Sequence, residues 1–336
     1  MKGVPYGGGG AAIRLTRFVL SAGVAMLAIG AGTGMAAESY PSKPVRFVVG
    51  PGPNSGTDIM ARAIAQKLSE RFGQSVLIDN RPGAGGTIAI NAVAKSPPDG
   101  YTLLFVSGSL VVHPWIYKKL PYDVERDLAP ITLIGVVPQV LVVHPSLPAR
   151  TVKEFVALAK ARPGEINYGS GGVGSTGHLA GELLQTSAGI RLTHVPYKGA
   201  GPAAVDVIAG QIQMLFTSAV NALQHGRTGR LRLVAVTTTK RAAAMPDVPT
   251  IAESGVPGYE LKTWYGMLAP AGTPRPVVMR VNEGLTGVLT QPDVQRRLTL
   301  DGVEPMPGTP EQFAGMIRSE LARLSKIVKI AGIEPR

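Results

Sequence analysis

The chain of 336 residues contains no cysteine, so neither a disulfide nor a thiolate metal site can form. Stability must therefore come from a hydrophobic core, which a chain of this length can supply. Its five histidines (His113, His144, His178, His194, His225) are scattered, with no pair at i, i+4 and no carboxylate in zinc-motif register. No serine has glycine two residues before and two residues after it, and Gly-x-x-x-x-Gly-Lys-Ser/Thr does not occur. These absences remove the nucleophile elbow of α/β-hydrolases and the common phosphate loop. Basic residues outnumber acidic ones by 34 to 22, yet no basic run carries interleaved aromatics, so nucleic acid is not the expected partner. The charge excess favours anionic ligands or the membrane surface instead.

Long apolar runs are also scarce, and the one that matters lies at the N-terminus. Lys2, Arg14 and Arg17 precede the apolar stretch Phe18 to Ala31, and Gly34-Met35-Ala36-Ala37 follows with small residues. This is the pattern of a secretory signal over residues 1–37, cleaved near residues 36–38. The apolar stretch is shorter than the ~20 residues of an ordinary span. Removing the segment takes away three basic residues and no acidic ones, which lowers the net charge from +12 to +9.

What remains is a globular α/β pattern, with 45% hydrophobic and 17% charged residues arguing against disorder. Val45 to Val49 reads as a strand, and Thr57-Asp58 opens a helix with Ile59, Ala63, Ile64 and Leu68 at helical spacing. Further strands follow at Val76 to Ile78 and Tyr101 to Val106, with a turn-rich loop (Asp79 to Gly86) and a second helix between them. That alternation predicts a parallel sheet with right-handed crossovers. The long β-rich segment Ile131 to Val143 looks like a strand passing between domains. A second α/β unit then covers residues 144–260, and Glu260 to Leu268 returns as another crossing strand. The last helix opens on the capping box Thr309-Pro310-x-Gln312 and carries Phe313, Ile317, Leu321, Leu324 and Val328 on one face, which should pack on the first domain.

Two glycine-rich passages lie between a strand and a helix: Gly50-Pro-Gly-Pro-Asn-Ser-Gly-Thr-Asp58, and Gly169-Ser-Gly-Gly-Val-Gly-Ser-Thr-Gly-His178. A helix N-terminus presents unpaired N–H groups at the positive end of its dipole, which suits an anion. The second passage also matches the dinucleotide fingerprint G-x-G-x-x-G. That reading wants an acidic residue about 20 positions on, for the ribose, and none lies between Glu182 and Asp206. His178 could donate to an anion or merely orient its helix, and Lys198 could be a cleft cation or a solvated loop residue. Ser107 and Ser109, at the carboxyl end of the third strand, form a third candidate wall.

With these residues in view, the chain resembles the Bug-type periplasmic solute-binding proteins of tripartite tricarboxylate transporters. The matching pieces are Tyr40-Pro-Ser-Lys-Pro44, Gly56-Thr-Asp58, Asn80-Arg-Pro-Gly-Ala-Gly-Gly86, Pro98-Asp-Gly-Tyr-Thr-Leu103 and Lys119-Leu-Pro-Tyr-Asp123. Asn167-Tyr through His178-Leu, His194-Val-Pro-Tyr-Lys-Gly199 and Leu268-Ala-Pro-Ala-Gly-Thr-Pro274 complete the set. The resemblance implies a two-domain Venus-flytrap fold of type II-like α/β construction, each domain a mainly parallel sheet flanked by helices, with two crossing strands as hinge. Domain 1 is expected at 38–143 plus 261–336, and domain 2 at 144–260.

The implied function is capture of a small organic carboxylate and its delivery to the permease subunits of a tripartite transporter. The implied protein is periplasmic and monomeric, with no cofactor, metal or catalytic residue. A ligand sensor for a signalling partner and a dinucleotide enzyme are the alternatives. The ligand-facing residues implied are Pro53, Asn54, Ser55, Gly56, Thr57 and Asp58 on the first loop, and Gly171, Val173, Gly174, Ser175, Thr176 and His178 on the second. Ser107, Ser109, Thr217 and Trp264 join them. Three departures from the family pattern bear on the site, the first being Gly50-Pro51 where Pro-Phe is usual ahead of the first loop. Asn54-Ser55 replaces a Gly-Gly pair, and of the two Asn better tolerates positive φ. Thr217 replaces an Asp that could pair with a ligand ammonium, so the resemblance implies a preference for a carboxylate without an amino group.

Overall fold

Apolar strands separated by amphipathic helices leave few arrangements open, because each sheet face must be covered. The computed structural model describes residues 1–7 and 40–330. In chain order it contains β1 (Val45–Val49), α1 (Gly56–Phe72), β2 (Val76–Asn80), α2 (Thr87–Ala94), β3 (Thr102–Ser107) and the short α3 (His113–Ile116). Next come β4 (Leu128–Val143), α4 (Val152–Ala161), β5 (Asn167–Ser170), α5 (Thr176–Ala188), β6 (Thr193–Pro196), α6 (Ala200–Ile208), β7 (Met214–Ser218), α7 (Ala219–Gly226) and β8 (Arg232–Val236). The chain continues through β9 (Lys262–Pro270), α8 (Arg275–Leu289), α9 (Pro292–Leu300), β10 (Glu304–Pro305) and α10 (Pro310–Ile330). Apart from its first seven residues, the expected export signal lies outside the described residues. Among the described residues no helix is long and apolar enough to cross a membrane.

The strands follow the order β2-β1-β3-β9-β4-β7-β5-β6, with β8 and β10 also paired to β4. The outer strands of each half run parallel, as the β-α-β alternation predicts: β1 with β2 and β3, and β5 with β6 and β7. The central strands are antiparallel. β9 runs against both β3 and β4, and β4 runs against β7 and β8. This reversal follows from connectivity, since a segment that leaves one half and later returns must cross in both directions.

β4 belongs to both halves. It pairs with β9 from Leu128 to Pro138 and with β7 from Gln139 to Val143. The exchange falls at Pro138, which has no N–H to give to a ladder. The other crossing segment is tied to the same point through the buried Thr237. Its N–H donates to the Gln139 carbonyl (2.9 Å), its Oγ1 donates to the Leu261 carbonyl (2.6 Å), and the Leu261 N–H donates to the Thr237 carbonyl (2.8 Å).

Each half has its own buried aromatics. Phe47 stacks on Phe105 (6.4 Å) and Phe105 meets Tyr265 (6.0 Å) in one, while Tyr168, Phe155 and Phe216 are buried in the other. The final helix closes over β9. Its capping box is present, with Gln312 N–H donating to Thr309 Oγ1 (3.2 Å) and Thr309 N–H donating to Gln312 Oε1 (2.9 Å). Phe313 lies over Gly266, where any side chain would overlap its ring, and meets Trp264 edge-on at 5.4 Å.

Candidate functional site

The two glycine-rich loops adopt the same local geometry in different halves of the chain. Ser55 caps α1 at φ −73°, ψ 157°, and Ser175 caps α5 at φ −71°, ψ 157°. Each cap hydroxyl accepts the N–H three residues on, from Asp58 or from His178, at 3.2 Å. The residue before each cap is left-handed, Asn54 at φ 62° and Gly174 at φ 81°. Asn54 thus takes the conformation that glycine takes in the second loop, and Ser55 is spared it. The match goes one step further. Asp58 Oδ2 accepts the Asn54 N–H at 3.0 Å, and His178 Nδ1 accepts the Gly174 N–H at 3.4 Å. A carboxylate and a neutral imidazole therefore perform one task, reaching back from the third helical position to fix the loop.

That task removes both side chains from the site expected of them. Asp58 is buried and also accepts from Arg62 Nε (3.0 Å) and Asn80 Nδ2 (2.9 Å), so its charge is spent inside the first loop. His178 is buried against the His194 ring (4.4 Å), with Nε2 3.7 Å from Glu182. With Nδ1 accepting, its proton sits on Nε2 and points toward the carboxylate rather than toward a bound anion.

The cavity between the loops measures about 60 Å³. Ser55, Gly56 and Thr57 enter its lining from the first loop, and Gly171, Ser175, Thr176 and Gly177 from the second. Ser107 and Ser109 also line it, their Oγ atoms 3.2 Å apart. Pro53, Asn54, Val173 and Gly174 lie beside it and meet the opposite half instead. The Asn54 carbonyl accepts from Asn221 Nδ2 (3.1 Å), the Val173 carbonyl accepts from Tyr117 Oη (2.7 Å), and a Cβ built on Gly201 would come within 2.9 Å of the Pro53 carbonyl. On the strands the expectation is off by one residue. Phe216 and Ser218 line the cavity while Thr217 points away, and Thr263 and Tyr265 line it while Trp264 faces Phe313. Side chains alternate along a strand, so a one-residue error exchanges the faces.

Gly50 and Pro51 of the first glycine-rich passage and Lys198, the residue weighed as a cleft cation, also line the cavity, while Gly83, Gly85, Gly86, Gln139 and Ala200 were not anticipated. Gly83 to Gly86 lie in the turn-rich loop before α2, whose glycine content was the available signal. Lys198 is an exposed residue at the rim, and its carbonyl faces Gly52. The lining holds no Asp, Glu, Arg or His, so apart from Lys198 at the rim and Gln139 its polarity comes from N–H groups and hydroxyls. The N-termini of α1, α2, α5, α6 and α7 all contribute residues to it. Each helix end favours an anion by ~0.3–2 kcal/mol, depending on burial.

A buried cluster fixes the third loop. His113 Nδ1 accepts from Tyr122 Oη (2.7 Å), and its Nε2 donates to the Gly85 carbonyl (3.2 Å). Burial lowers the imidazole from its ordinary 6.5 to about 4, against a smaller upward pull from the Gly85 carbonyl. Tyr117 Oη lies 3.0 Å from the Ala84 carbonyl and 2.7 Å from the Val173 carbonyl, so one phenol spans both halves of the chain. On the cavity floor, burial pushes the Tyr265 phenol up to about 12.

A larger groove of about 630 Å³ is lined by Pro138, Thr238, Lys240, Arg241, Lys262 and Glu304, among others. Its cations are partly committed, Arg241 to Glu253 (2.7 Å) and Lys262 to Glu260 (2.9 Å). Among the described residues no group of three His, Cys, Asp or Glu could hold a metal ion. The loop cavity is also far below the roughly 300–1,000 Å³ of cofactor-sized pockets.

Residues 60–333 match the tripartite tricarboxylate transporter family receptor. Protein BugT of Bordetella pertussis is 36% identical over 322 residues, which cover 95% of this chain and 99% of that one. Among solved structures, Rhodopseudomonas palustris Rpa4515 with adipate aligns with a TM-score of 0.86 at 38% identity, covering 88% of this chain and 100% of that one. MatC from the same organism, with bound malate, aligns with a TM-score of 0.81 at 31% identity, covering 86% and 100%. Similarity thus extends over both halves and both loops, and the chain belongs to the tripartite tricarboxylate transporter receptor family.

Proposed function

We propose that the protein is a periplasmic, non-enzymatic receptor that closes on a small organic carboxylate and delivers it to the membrane subunits of a tripartite transporter. The observation that carries this reading is the pair of superimposable serine-capped helix N-termini, one from each half, directed at one cavity. The first N–H groups of α1 (Gly56, Thr57) and of α5 (Thr176, Gly177) have no partner within their helices and suit carboxylate oxygens. Two such ends hold an anion without a buried cation, which keeps binding reversible. The relatives that carry adipate and malate support this ligand class.

In this reading the monomer hinges where β4 exchanges partners at Pro138 and where the chain returns at Leu261. The domains expected at 38–143 plus 261–336 and at 144–260 then meet along the end of β4. A small two-strand connection tethered by Thr237 suits hinge closure around a ligand. The cavity has room for roughly four to six water-sized groups, which favours short acids. It has no Asp or Glu to pair with an ammonium, and this supports a non-amino acid ligand on firmer ground than Thr217, which points away from the cavity.

A thermal-shift panel of succinate, malate, adipate and citrate against aspartate and glutamate tests the proposal. A ligand at 100 times its Kd stabilises by about 2.7 kcal/mol, or roughly 5 °C or more for a protein of this size. At least one plain carboxylate is expected to reach that shift, and the amino acids are not. Stabilisation by aspartate or glutamate alone, or by none of the six, would overturn the reading.

A further inference from the structure

Among the described residues, six buried side-chain polar atoms have no hydrogen-bond partner in the fold, and two of them belong to residues lining the cavity: Ser218 Oγ and Thr263 Oγ1. Ser218 Oγ sits against the first helical residue, since a Cβ on Gly56 would overlap it, so it belongs with the N–H groups of the α1 terminus. Thr263 is different. It stands two residues along β9 from Tyr265, on the same face of the sheet, and is 1% exposed. A Cβ on residue 108 would lie 2.7 Å from its Oγ1, so Gly108 leaves the hydroxyl room. A buried hydroxyl left unpaired is costly, and a strand position this deep is ordinarily met by valine or isoleucine at no such cost.

We propose that Thr263 is a specificity determinant that reads an uncharged oxygen, specifically a hydroxyl, on the bound acid. The inference rests on the carboxylate reading above and adds the chemistry of the remainder of the ligand. The floor around Thr263 is built for a neutral group. Ser107, Tyr265 and Gln139 are other polar residues of the lining, Lys198 is exposed at the rim, and no other Lys or Arg lines the cavity. The upward displacement of the Tyr265 phenol shows that burial here works against negative charge. A second carboxylate gains little on this floor. A ligand hydroxyl can both donate to and accept from Thr263, which satisfies a hydroxyl that the fold leaves unpaired. A site with a buried hydrogen-bonding group discriminates against the analogue that lacks the matching one.

The test is isothermal titration of the full protein with succinate and malate, which differ by one hydroxyl. Wild type is expected to prefer malate by roughly tenfold, the range of one net neutral hydrogen bond. Thr263→Val, which keeps the shape of the side chain, is expected to lose that preference, its affinity for malate falling to that for succinate. Thr263→Ser is expected to retain it, and thermal melts without ligand check that both variants fold. Equal affinities in wild type, or a preference that persists in Thr263→Val because water satisfies the hydroxyl, would overturn this inference alone. Binding of neither acid by wild type would also overturn this inference, and the carboxylate reading falls with it only if adipate and citrate fail to bind too.

Discussion

Gly85→Ala is expected to weaken ligand binding at least 100-fold while the ligand-free protein stays folded. Gly85 sits at φ 65°, and a Cβ there would overlap the Val173 carbonyl oxygen and come within 3.3 Å of the Gly174 carbonyl carbon. These are backbone atoms of the facing loop, so no rotamer change relieves the overlap, and only separation of the two loops does. Separation also breaks the Tyr117 bridge between Ala84 and Val173. The left-handed backbone itself costs an alanine only ~1–2 kcal/mol. Gly73 provides the control, because it has φ 62° with nothing within 4 Å of its Cβ position. Gly73→Ala should therefore lose stability by a similar amount and bind as wild type does. Titration calorimetry of the two variants separates closure from backbone strain. Equal affinities in the two would show that the loops need not meet.

His113 carries the second large effect. It is fully buried between Tyr122 and the Gly85 carbonyl, with its pKa lowered by desolvation to about 4. Below pH 6.5 the unfolded chain takes up a proton that the folded chain refuses, so ν for the unfolded state exceeds ν for the native state and stability rises with pH. The contribution is fully present above pH 6.5 and is lost as the pH falls to about 4. At about 1.36 kcal/mol per pH unit, the total is roughly 3 kcal/mol. Urea unfolding at pH 7 and pH 4 should show wild type losing about that much more stability than His113→Gln. Parallel pH profiles for the two proteins would contradict the assignment. The same imidazole holds the loop that carries Gly85, so acidification should weaken ligand binding before the protein unfolds globally.

The parts of the site encoded by local chemistry were readable from the sequence. The capping box at Thr309/Gln312 depends on neighbours within a few residues and stands where the sequence puts it, whereas the first helix is capped by Ser55, two residues before the expected Thr57-Asp58 start. The phase of the central strands was not readable. β7 is buried at all five positions and β9 at eight of nine, so neither shows the alternation that would separate Ser218 from Thr217 or Tyr265 from Trp264. Asp58 and His178 stand off the cavity lining in helix-capping roles, and for His178 the sequence had left both roles open. Their residue types suit an anion site, but both are consumed in fixing the loop backbones. The antiparallel reversal at β4 and β9 depends on contacts more than 100 residues apart, for which local pattern holds no signal.

Hydrogen–deuterium exchange with and without saturating malate tests the central claim most directly. A carboxylate held between two helix N-termini should slow exchange at Gly56 to Asp58 and at Thr176 to His178 together, with the flanking Gly85 and Gly86 amides following as the loops meet. Protection of one loop without the other, or protection confined to the groove at Lys240 and Arg241, would contradict it.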